Sequence, residues 1–242
     1  MEQKNQQAYT TMIRQPAELT DRERQAMSGL YLAHYDGSSK VRFIDDLQGK
    51  DEVLLISSNG TLIGFTTMQF YEREWNGQQI RIVYSGDTVV ERQHWGQQAL
   101  SSRWISRMGE IHRESPDLPL YWFLIVKGHR TFRYLPAFAR SFWPHWSIDR
   151  SDLKPLVDAL AVEKFGRDYN PATGVVVFAV SKGHLKQEIA RPSERENNKE
   201  AVRFFLQSNP GYLRGHELVC LCELVEENMQ PLTARIFRRS MP

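Results

Sequence analysis

The strongest pattern in the chain lies between residues 53 and 90, where three runs rich in apolar and β-branched residues follow one another. Asn59-Gly60 separates the first two runs, and Asn76-Gly77 separates the second from the third. Asn-Gly pairs favour tight type I′ turns, because both central residues of that turn need a positive φ. The pattern predicts a three-stranded antiparallel meander with strands over VLLISS, TLIGFTTMQF and QQIRIVYSGDTVV.

Helical spacing marks the segments on both sides of this meander. Before it, Thr20 and Glu23 form a capping-box pattern ahead of apolar positions at helical spacing, which predicts a helix over residues 20–34. After it, three- and four-residue steps predict a second helix. The apolar positions of that second helix are Ala99, Leu100, Trp104, Met108 and Ile111.

The rest of the chain alternates between short strands and helices. The apolar run Leu120 to Val126, bounded by Pro119 and Lys127-Gly128, is typical of a strand buried on both faces. A helix is expected next, over 131–143, and Pro144 would stop it. The remaining predicted elements are a polar helix over 152–165, a strand over 174–180, a charged surface segment over 186–200, a helix around 202–206 and a strand over 217–225.

This order of elements predicts an α/β (α+β) fold, with a mixed, mostly antiparallel central sheet flanked by helices. No fixed-period repeat and no low-complexity linker interrupts it. We expect residues 1–18 to form a loose N-terminal arm and residues 19–242 to form a single domain, with a C-terminal extension from about residue 147.

Composition and charge remove several classes of function. The 31 Lys and Arg residues nearly balance the 29 Asp and Glu residues, so charge indicates neither a nucleic-acid partner nor a membrane surface. The polar N-terminus resembles no signal peptide, and no apolar run approaches the roughly 20 residues that span a bilayer. We therefore expect a cytoplasmic protein.

Metal chemistry is not expected either. Cys220 and Cys222 are too few for a zinc site built from cysteines, and the scattered histidines show no ligand spacing. In a strand the two thiols would lie on one face, where a disulfide between them would strain the backbone. We expect buried, free thiols.

The junction from Thr88 to Leu100 is the most informative segment for function. A strand that ends at the N-terminus of a helix leaves several backbone N–H groups unpaired, and such an end binds phosphate well. Gly96 would let an anion approach the backbone closely, and Gln93, Gln97 and Gln98 could donate side-chain hydrogen bonds. The alternative is that Gly96 only fits a tight turn.

This junction, together with the order of elements around it, resembles the GNAT acyltransferase family. The family's pattern is Gln/Arg-x-x-Gly-x-Gly/Ala, and this chain has Gln93-His94-Trp95-Gly96-Gln97-Gln98. Gln93 and Gly96 match its first two fixed positions, while Gln98 stands where a small residue is usual. The resemblance covers roughly residues 20–146.

The resemblance implies a site for acetyl-CoA, or another acyl-CoA, as co-substrate. In the family, the last meander strand and the buried strand after the helix splay apart, and the acyl-pantetheine arm inserts between them. Backbone groups of Val89 and Val90 would pair with the pantetheine amides. The turn formed by Gln93, His94, Trp95, Gly96, Gln97 and Gln98 would hold the pyrophosphate, with the thioester near residues 85–88.

Amine acylation needs a base for the ammonium and an acid for the leaving thiolate. Asp87 is the candidate base, since a carboxylate on an apolar strand can have its pKa raised by desolvation; the alternative is a residue of a β-bulge or turn after Gly86. Tyr134 is the candidate acid, because the family often places a tyrosine there. Its alternative is a core tyrosine with a satisfied hydroxyl.

Further residues near the expected site have two interpretations each. Arg130, with Arg133 and Arg140, could meet the ribose phosphate of coenzyme A or an acidic carrier protein, or could form a solvated helix face. His94 and His129 could exchange protons, or could serve surface or capping roles. The aromatic residues Phe138, Phe142, Trp143 and Trp146 could line an acyl pocket or fill a core.

The leading hypothesis is an N-acyltransferase that transfers an acetyl or other acyl group to a primary amine of a small molecule or protein. One alternative is an enzyme like the N-acyl amino acid synthases, which takes its acyl chain from an acyl carrier protein. Another is a GNAT-shaped binding module without catalysis. The acceptor and the oligomeric state stay open, a homodimer included.

Overall fold

The computed structural model describes residues 8–239. The strands are β1 (Tyr9–Arg14), β2 (Tyr35–Asp36), β3 (Glu52–Ser58), β4 (Thr61–Trp75), β5 (Gln78–Val90), β6 (Leu120–Val126), β7 (Tyr169–Asn170), β8 (Val175–Val176), β9 (His184–Leu185) and β10 (Glu217–Glu223). The helices are α1 (Asp21–His34), α2 (Lys40–Gln48), α3 (Ala99–Glu114), α4 (His129–Phe132), α5 (Tyr134–Phe138), α6 (Lys154–Phe165), α7 (Gln187–Ala190), α8 (Glu194–Asn197), α9 (Glu200–Ser208) and α10 (Pro231–Arg238).

Eight strands form one central sheet in the order β1-β3-β4-β5-β6-β10-β8-β7. Strands β5 and β6 run parallel, whereas the neighbouring pairs around them are antiparallel. Strand β6 follows β5 through α3, which is the crossover connection that a parallel pair requires. The predicted mixed, mostly antiparallel sheet flanked by helices is confirmed.

Local sequence explains the meander and the first helix. Asn59, Gly60, Asn76 and Gly77 all have positive φ values, between 50° and 79°, as type I′ turns require. At the start of α1, the backbone N–H of Thr20 donates to Glu23 Oε2 at 2.8 Å, and the Glu23 N–H donates to Thr20 Oγ1 at 3.2 Å. The predicted hairpins and capping box are confirmed.

The helices cover both faces of the sheet. Helices α3, α5, α9 and α10 bury an apolar cluster on one face, around Trp104, Trp122 and Phe205. On the other face, α6 packs over Tyr84 and Phe123, and α1 with α2 packs over Phe65 and Val89. The sheet is thus the middle layer between two helical layers, and the ends of β5 and β6 lie between them.

The expected loose arm is wrong for residues 9–14, which form β1 and pair antiparallel with β3 from Tyr9↔Ser58 to Arg14↔Val53. This edge strand was hard to predict because YTTMIR carries few apolar residues, of which Tyr9 and Ile13 pack against the core. Residues 1–7 lie outside the described residues. The division into arm, domain and extension stays a prediction.

The predicted helix over 131–143 is also wrong in its extent. The chain forms two short helices, α4 and α5, and then becomes extended after Phe138. Pro136 lacks a backbone donor, which disfavours a long helix. Beyond it, the backbone is held by the C-terminal segment: Arg140 N donates to Asn228 O at 2.7 Å, and Gln230 N donates to Phe138 O at 2.9 Å.

Smaller differences concern the last third of the chain. The predicted strand over 174–180 shrinks to β8, because the chain leaves the sheet with Val177 and Val180 exposed. The charged segment over 186–200 contains the short helices α7 and α8. Cys220 and Cys222 are buried free thiols on β10, as predicted.

Within residues 8–239, no helix is both long and apolar enough to cross a membrane. The same stretch contains no group of three or more His, Cys, Asp or Glu side chains that could hold a metal ion.

Candidate active site

The central feature of the site is the wedge between β5 and β6. The two strands are paired only from Arg81↔Leu120 to Ser85↔Leu124 and separate beyond that point. The predicted splay is therefore confirmed. On the other side of β5, the register with β4 shifts between Thr66 and Met68, so a β-bulge lies opposite the point of separation.

Gly86 allows close packing at this bulge. A Cβ atom there would lie 2.4 Å from Thr67 Oγ1 and 2.7 Å from Lys50 Cε, so a larger residue would force these two side chains to move. Because a bulge bends its strand and adds twist, the end of β5 turns away from β6. Asp87, the residue after Gly86, belongs to the same bulge. It is therefore both a bulge residue and a residue of the wedge.

A cleft of about 1110 Å³ passes through the wedge. We call one part the turn end; it is lined by Trp95, Gly96, Gln97, Gln98, Arg130 and Tyr134. We call the other part the basin; it is lined by Lys50, Tyr84, Asp87, Lys127, Lys164 and Glu217. The turn end lies beside the start of α3, and the basin lies beneath α1, α2 and α6.

At the turn end, part of the backbone is already used by the protein. The N–H groups of His94, Trp95 and Gln97 donate to carbonyl oxygens inside the turn, at 2.9, 3.2 and 3.3 Å. In the described part of the chain, the N–H groups of Gly96, Gln98, Ala99 and Ser101 have no acceptor. These unpaired donors lie at the N-terminus of the 16-residue helix α3, where the helix dipole favours an anion.

Most of the predicted cofactor residues line the cleft, but Gln93 and His94 do not. Gln93 Nε2 donates to Glu91 Oε2 at 2.8 Å. His94 is 7% exposed, and its Nδ1 atom lies 3.2 Å from the hydroxyl of Tyr9 on β1. The short 3₁₀ turn over Arg92–His94 directs His94 into the protein, so its side chain supports the turn from behind.

The free edge of β5 is defined by the alternation of its hydrogen bonds. Glu91 N donates to Ile63 O at 2.8 Å, so the peptide groups of Val89 face β4 and those of Thr88 and Val90 face the wedge. The carbonyl of Val90 is occupied, because it accepts from His34 Nε2 at 3.0 Å and from Trp95 Nε1 at 2.8 Å. The peptide groups of Thr88 and the N–H of Val90 remain at the open edge.

Arg130 connects the turn end to the C-terminal part of the chain. Its guanidinium lies 4.4 Å from the ring centroid of Trp95 and donates to Glu196 Oε2 at 3.0 Å and to the carbonyl of Ile189. His129 and Arg133 also lie within 4 Å of Glu196. Burial alone would raise the pKa of Glu196, but hydrogen bonds from Ser193 and the positive charge of Arg130 outweigh it and bring the value to about 2.

In the basin, Asp87 is half-buried and has no ion-pair partner within 4 Å among the residues described. Burial raises the pKa of Asp87 to about 6, although the ammonium of Lys127 opposes the change. A carboxyl with this pKa is mostly ionised at neutral pH and still close enough to neutrality to exchange protons.

Lys127 and Glu217 are basin residues that the sequence did not single out. Lys127 Nζ lies 3.3 Å from Glu217 Oε1, and both side chains are largely buried. The charges of Glu217 and Asp87 overcome burial and hold the pKa of Lys127 above its usual value. Each residue stands at the end of an apolar strand, LYWFLIV and LVCLC, and a charge in that position was the available signal.

Tyr134 lies on α5 and lines the cleft. Its ring packs 5.4 Å from that of Phe138, and burial raises the pKa of its hydroxyl. That hydroxyl has no hydrogen-bond partner between residues 8 and 239, so it differs from a core tyrosine with a satisfied hydroxyl.

The remaining candidates divide between the cleft and the core. His129 is 1% exposed and contacts Glu196 at 3.4 Å, and Arg140 Nε donates to the carbonyl of Met229 at 3.0 Å. Of the four aromatic residues Phe138, Phe142, Trp143 and Trp146, Phe138 lines the cleft, whereas the others pack into apolar clusters.

The sheet order, the bulge, the wedge and the amide-bearing turn make the chain GNAT-like in fold. No protein-family model and no curated protein matches its sequence. Solved structures do show a distant similarity. One is a conserved Enterococcus faecalis V583 protein described as a probable N-acyltransferase, at 12% identity and a TM-score of 0.41 over 64% of this chain and 44% of that one. The match spans less than half of that protein.

Two further structures are similar to the same degree. A ribosomal-protein-alanine N-acetyltransferase from Brucella melitensis biovar Abortus 2308 has 17% identity and a TM-score of 0.39, over 59% of this chain and 99% of that one. A GNAT family N-acetyltransferase from Escherichia coli in complex with CoA has 13% identity and a TM-score of 0.37, over 54% and 69%. Similarities this distant leave the function to be argued from the cleft.

Proposed function

We propose that the chain is a GNAT-type N-acyltransferase that moves an acyl group, in the simplest case acetyl, from a coenzyme A thioester to a primary amine. The observation that carries the proposal is the wedge beyond Ser85, which has unpaired backbone donors at one end and a carboxyl of raised pKa at the other. One end can hold an anionic carrier, and the other can remove a proton from an amine.

The turn end fits the diphosphate of an acyl-CoA. The unpaired N–H groups of Gly96, Gln98 and Ala99 would donate to the phosphate oxygens, with side-chain donors from Gln97 and Gln98 nearby. A Cβ atom at Gly96 would meet nothing within 4 Å, so the space in front of this backbone is open. Trp95 and Arg130 would form the wall of this site, while Gln93 and His94 support the turn.

The edge of β5 fits an extended arm that carries amides. The peptide groups of Thr88 and the N–H of Val90 would pair with it as a neighbouring strand would, since β6 has moved away at this point. Val89 would contribute through its backbone position rather than through free hydrogen-bonding groups. Coenzyme A supplies the activated acyl thioester, and the chain places it between the two ends of the cleft.

Two side chains would move the protons of the reaction. The amine that enters the basin is protonated at neutral pH, and Asp87 would take one proton from its ammonium, leaving the nitrogen lone pair free to attack the thioester carbon. As the new C–N bond forms and the C–S bond breaks, the Tyr134 hydroxyl would give a proton to the departing sulfur, and the tyrosinate would regain one from the nitrogen, which loses its second proton. The products are an amide, a free thiol and the proton held by Asp87, which is then released to water.

Binding of acetyl-CoA by the wild type and by Gly96→Glu tests the proposal directly. The new carboxylate would occupy the open space and repel the diphosphate, so we expect at least a 30-fold loss of affinity by calorimetry, together with loss of acetyl transfer to a mixture of amines. Gly77→Glu is the matched control, because Gly77 also has a positive φ and open space around it but lies in a distant hairpin. Equal binding of acetyl-CoA by the wild type and both variants would overturn the placement of the site.

A further inference from the structure

The charged groups of the basin are unequally paired. Lys50 Nζ lies 2.7 Å from Asp46 Oδ2, and Lys127 pairs with Glu217, so these cations already have carboxylate partners. In contrast, Lys164 and Lys182 line the same cleft and have no carboxylate within 4 Å in the described part of the protein. The basin therefore has a surplus of positive charge on its α6 side.

Lys164 is held in place without being neutralised. Its Nζ atom donates to Gln69 Oε1 at 2.8 Å and lies 4.1 Å from the ring centroid of Tyr84. Burial and the nearby charge of Lys50 lower the pKa of Lys164, and the carboxylates of Asp46 and Glu163 only partly oppose this change. The Nζ atom of Lys182 lies 4.0 Å from the ring centroid of Phe178.

Two other charged groups line the cleft: Arg42, which uses one guanidinium nitrogen to donate to the carbonyl of Ser181, and Asp45, an exposed carboxylate of α2. Lys164 and Lys182 are also solvent-exposed, whereas Asp87 is half-buried. Among the described residues, Asp87 has no cation within 4 Å, and Lys164 and Lys182 have no carboxylate within 4 Å. The aromatic side chains of Tyr84, Phe165 and Phe178 line the space near the lysines.

We propose that the acceptor is an amino acid, whose amine lies at Asp87 and whose carboxylate binds Lys164 and Lys182. This inference rests on the proposed function, because it assigns Asp87 to the amine. A carboxylate on the acceptor would give both lysines a counter-ion, so an amino acid complements both ends of the basin. The aromatic residues near the lysines favour an acceptor with an apolar side chain.

Matched acceptors test the inference. Acetyl transfer to leucine and phenylalanine is compared with transfer to leucinamide and phenylalaninamide, which keep the amine and the side chain but lack the carboxylate. We expect kcat/KM at least tenfold higher for the amino acids in the wild type. In the double variant Lys164→Met, Lys182→Met this ratio should fall to about one, through loss of activity on the amino acids alone. Lys199→Met, an exposed lysine outside the cleft, should keep the wild-type ratio.

Thermal shift with each acceptor in the absence of any thioester separates the two proposals. Stabilisation by amino acids that depends on the two lysines, without any acetyl transfer, would support the acceptor class and overturn the proposed function. Transfer to amino acids and amides at equal rates, unchanged in the double variant, would overturn the acceptor class and leave the proposed function standing. Absence of both transfer and stabilisation would overturn both.

Discussion

The turn end and the basin of the cleft are built in different ways. The unpaired donors of the turn end are backbone N–H groups from one short segment, which includes Gly96, Gln98 and Ala99, at the start of a helix. The basin is made of side chains from separate elements: Lys50 after α2, Asp87 on β5, Lys127 after β6, Lys164 on α6 and Glu217 on β10. A site built from backbone depends on few side chains, whereas every residue of the basin contributes its own chemistry.

The two ends also differ in how their charges are balanced. At the turn end, Glu196 lies within 4 Å of Arg130, Arg133 and the buried imidazole of His129, and hydrogen bonds from Ser193 together with the charge of Arg130 bring its pKa to about 2. In the basin, Asp87 lacks such a partner, and burial raises its pKa to about 6. Under the proposed function, the turn end holds a fixed charge, while the basin lets a proton move.

The largest expected effect is a loss of activity when Asp87, the candidate base of the basin, is replaced. Asp87→Asn removes the group that accepts a proton and should lower kcat by on the order of 10²-fold or more, as loss of a general base does. Since Asp87 accepts protons only when ionised, wild-type kcat/KM should rise with pH through about 6, and the variant should lose this limb. Initial rates at several amine concentrations over a range of pH give both kcat and kcat/KM.

Acetyl-CoA affinity is the internal control for this variant, because the turn end is unchanged and its dissociation constant should stay within about twofold. Asp117→Asn, in an exposed loop before β6, is the matched control for loss of a carboxylate. If Asp87→Asn kept more than a third of the activity with the same pH profile, the base would lie elsewhere, and Glu217 would be the next carboxyl to test.

Much of the fold was predictable because it is encoded locally. Asn-Gly turns, a capping box and helical spacing each depend on residues close in sequence, and they gave the meander, α1 and α3 correctly. The errors arose where distant segments decide the structure. Strand β1 exists because β3 offers it an edge, and the chain after Phe138 is extended because residues 228–230 bind it.

The same division applies to the site. The turn over residues 93–98 could be located because the donors of a strand-to-helix junction are consecutive in sequence, although the sequence could not show that His94 faces inward toward Tyr9. Asp87 was visible as a carboxyl on an apolar strand. Lys127 and Glu217 carried a similar signal, a charge at the end of an apolar strand, but only three-dimensional packing brings them together with Lys164.

The next effect in size concerns the hydroxyl of Tyr134. Tyr134→Phe should lower kcat about tenfold and leave the KM for acetyl-CoA nearly unchanged. The effect is smaller than at Asp87 because a thiolate with a pKa of about 8.5 leaves with little help from an acid. Tyr121→Phe is the matched control, since the side chain of Tyr121 is half-buried on β6 and outside the cleft. Unchanged kcat in Tyr134→Phe would remove the tyrosine from the reaction.

A smaller effect is expected from Glu196, which pairs with Arg130 at the turn end. Glu196→Gln keeps an oxygen for the capping box with Ser193 but removes the negative charge beside the anion site. Affinity for acetyl-CoA should rise about threefold at low ionic strength, and the gain should shrink in high salt. Glu194→Gln, an exposed residue of the same helix, is the control. Weaker binding in Glu196→Gln would mean that the ion pair positions Arg130 for the ligand.

The smallest expected effect is on the free energy of unfolding, and it follows from the raised pKa of Asp87 in the basin. Because the pKa of Asp87 is about 6 in the folded protein and about 3.9 in an unfolded chain, the folded state binds the proton more tightly between these values. The contribution of Asp87 to the free energy of unfolding is therefore greatest below pH 4 and is lost as pH rises to about 6. Asp87→Asn avoids that loss and should be more stable than wild type at pH 8 by about 1 kcal/mol, or about 2–4 °C in Tm, after allowance for partial exposure.

Thermal unfolding of the two proteins at pH 4 and pH 8 measures this difference, which should vanish at the lower pH. If Asp87 is the base, its ionised form is unfavourable for folding but needed for activity. The variant should then gain stability and lose activity. A variant less stable than wild type at pH 8 would show instead that ionised Asp87 is held by Lys127 as a structural ion pair. The basin would then be organised like the turn end, and the contrast between them would be lost.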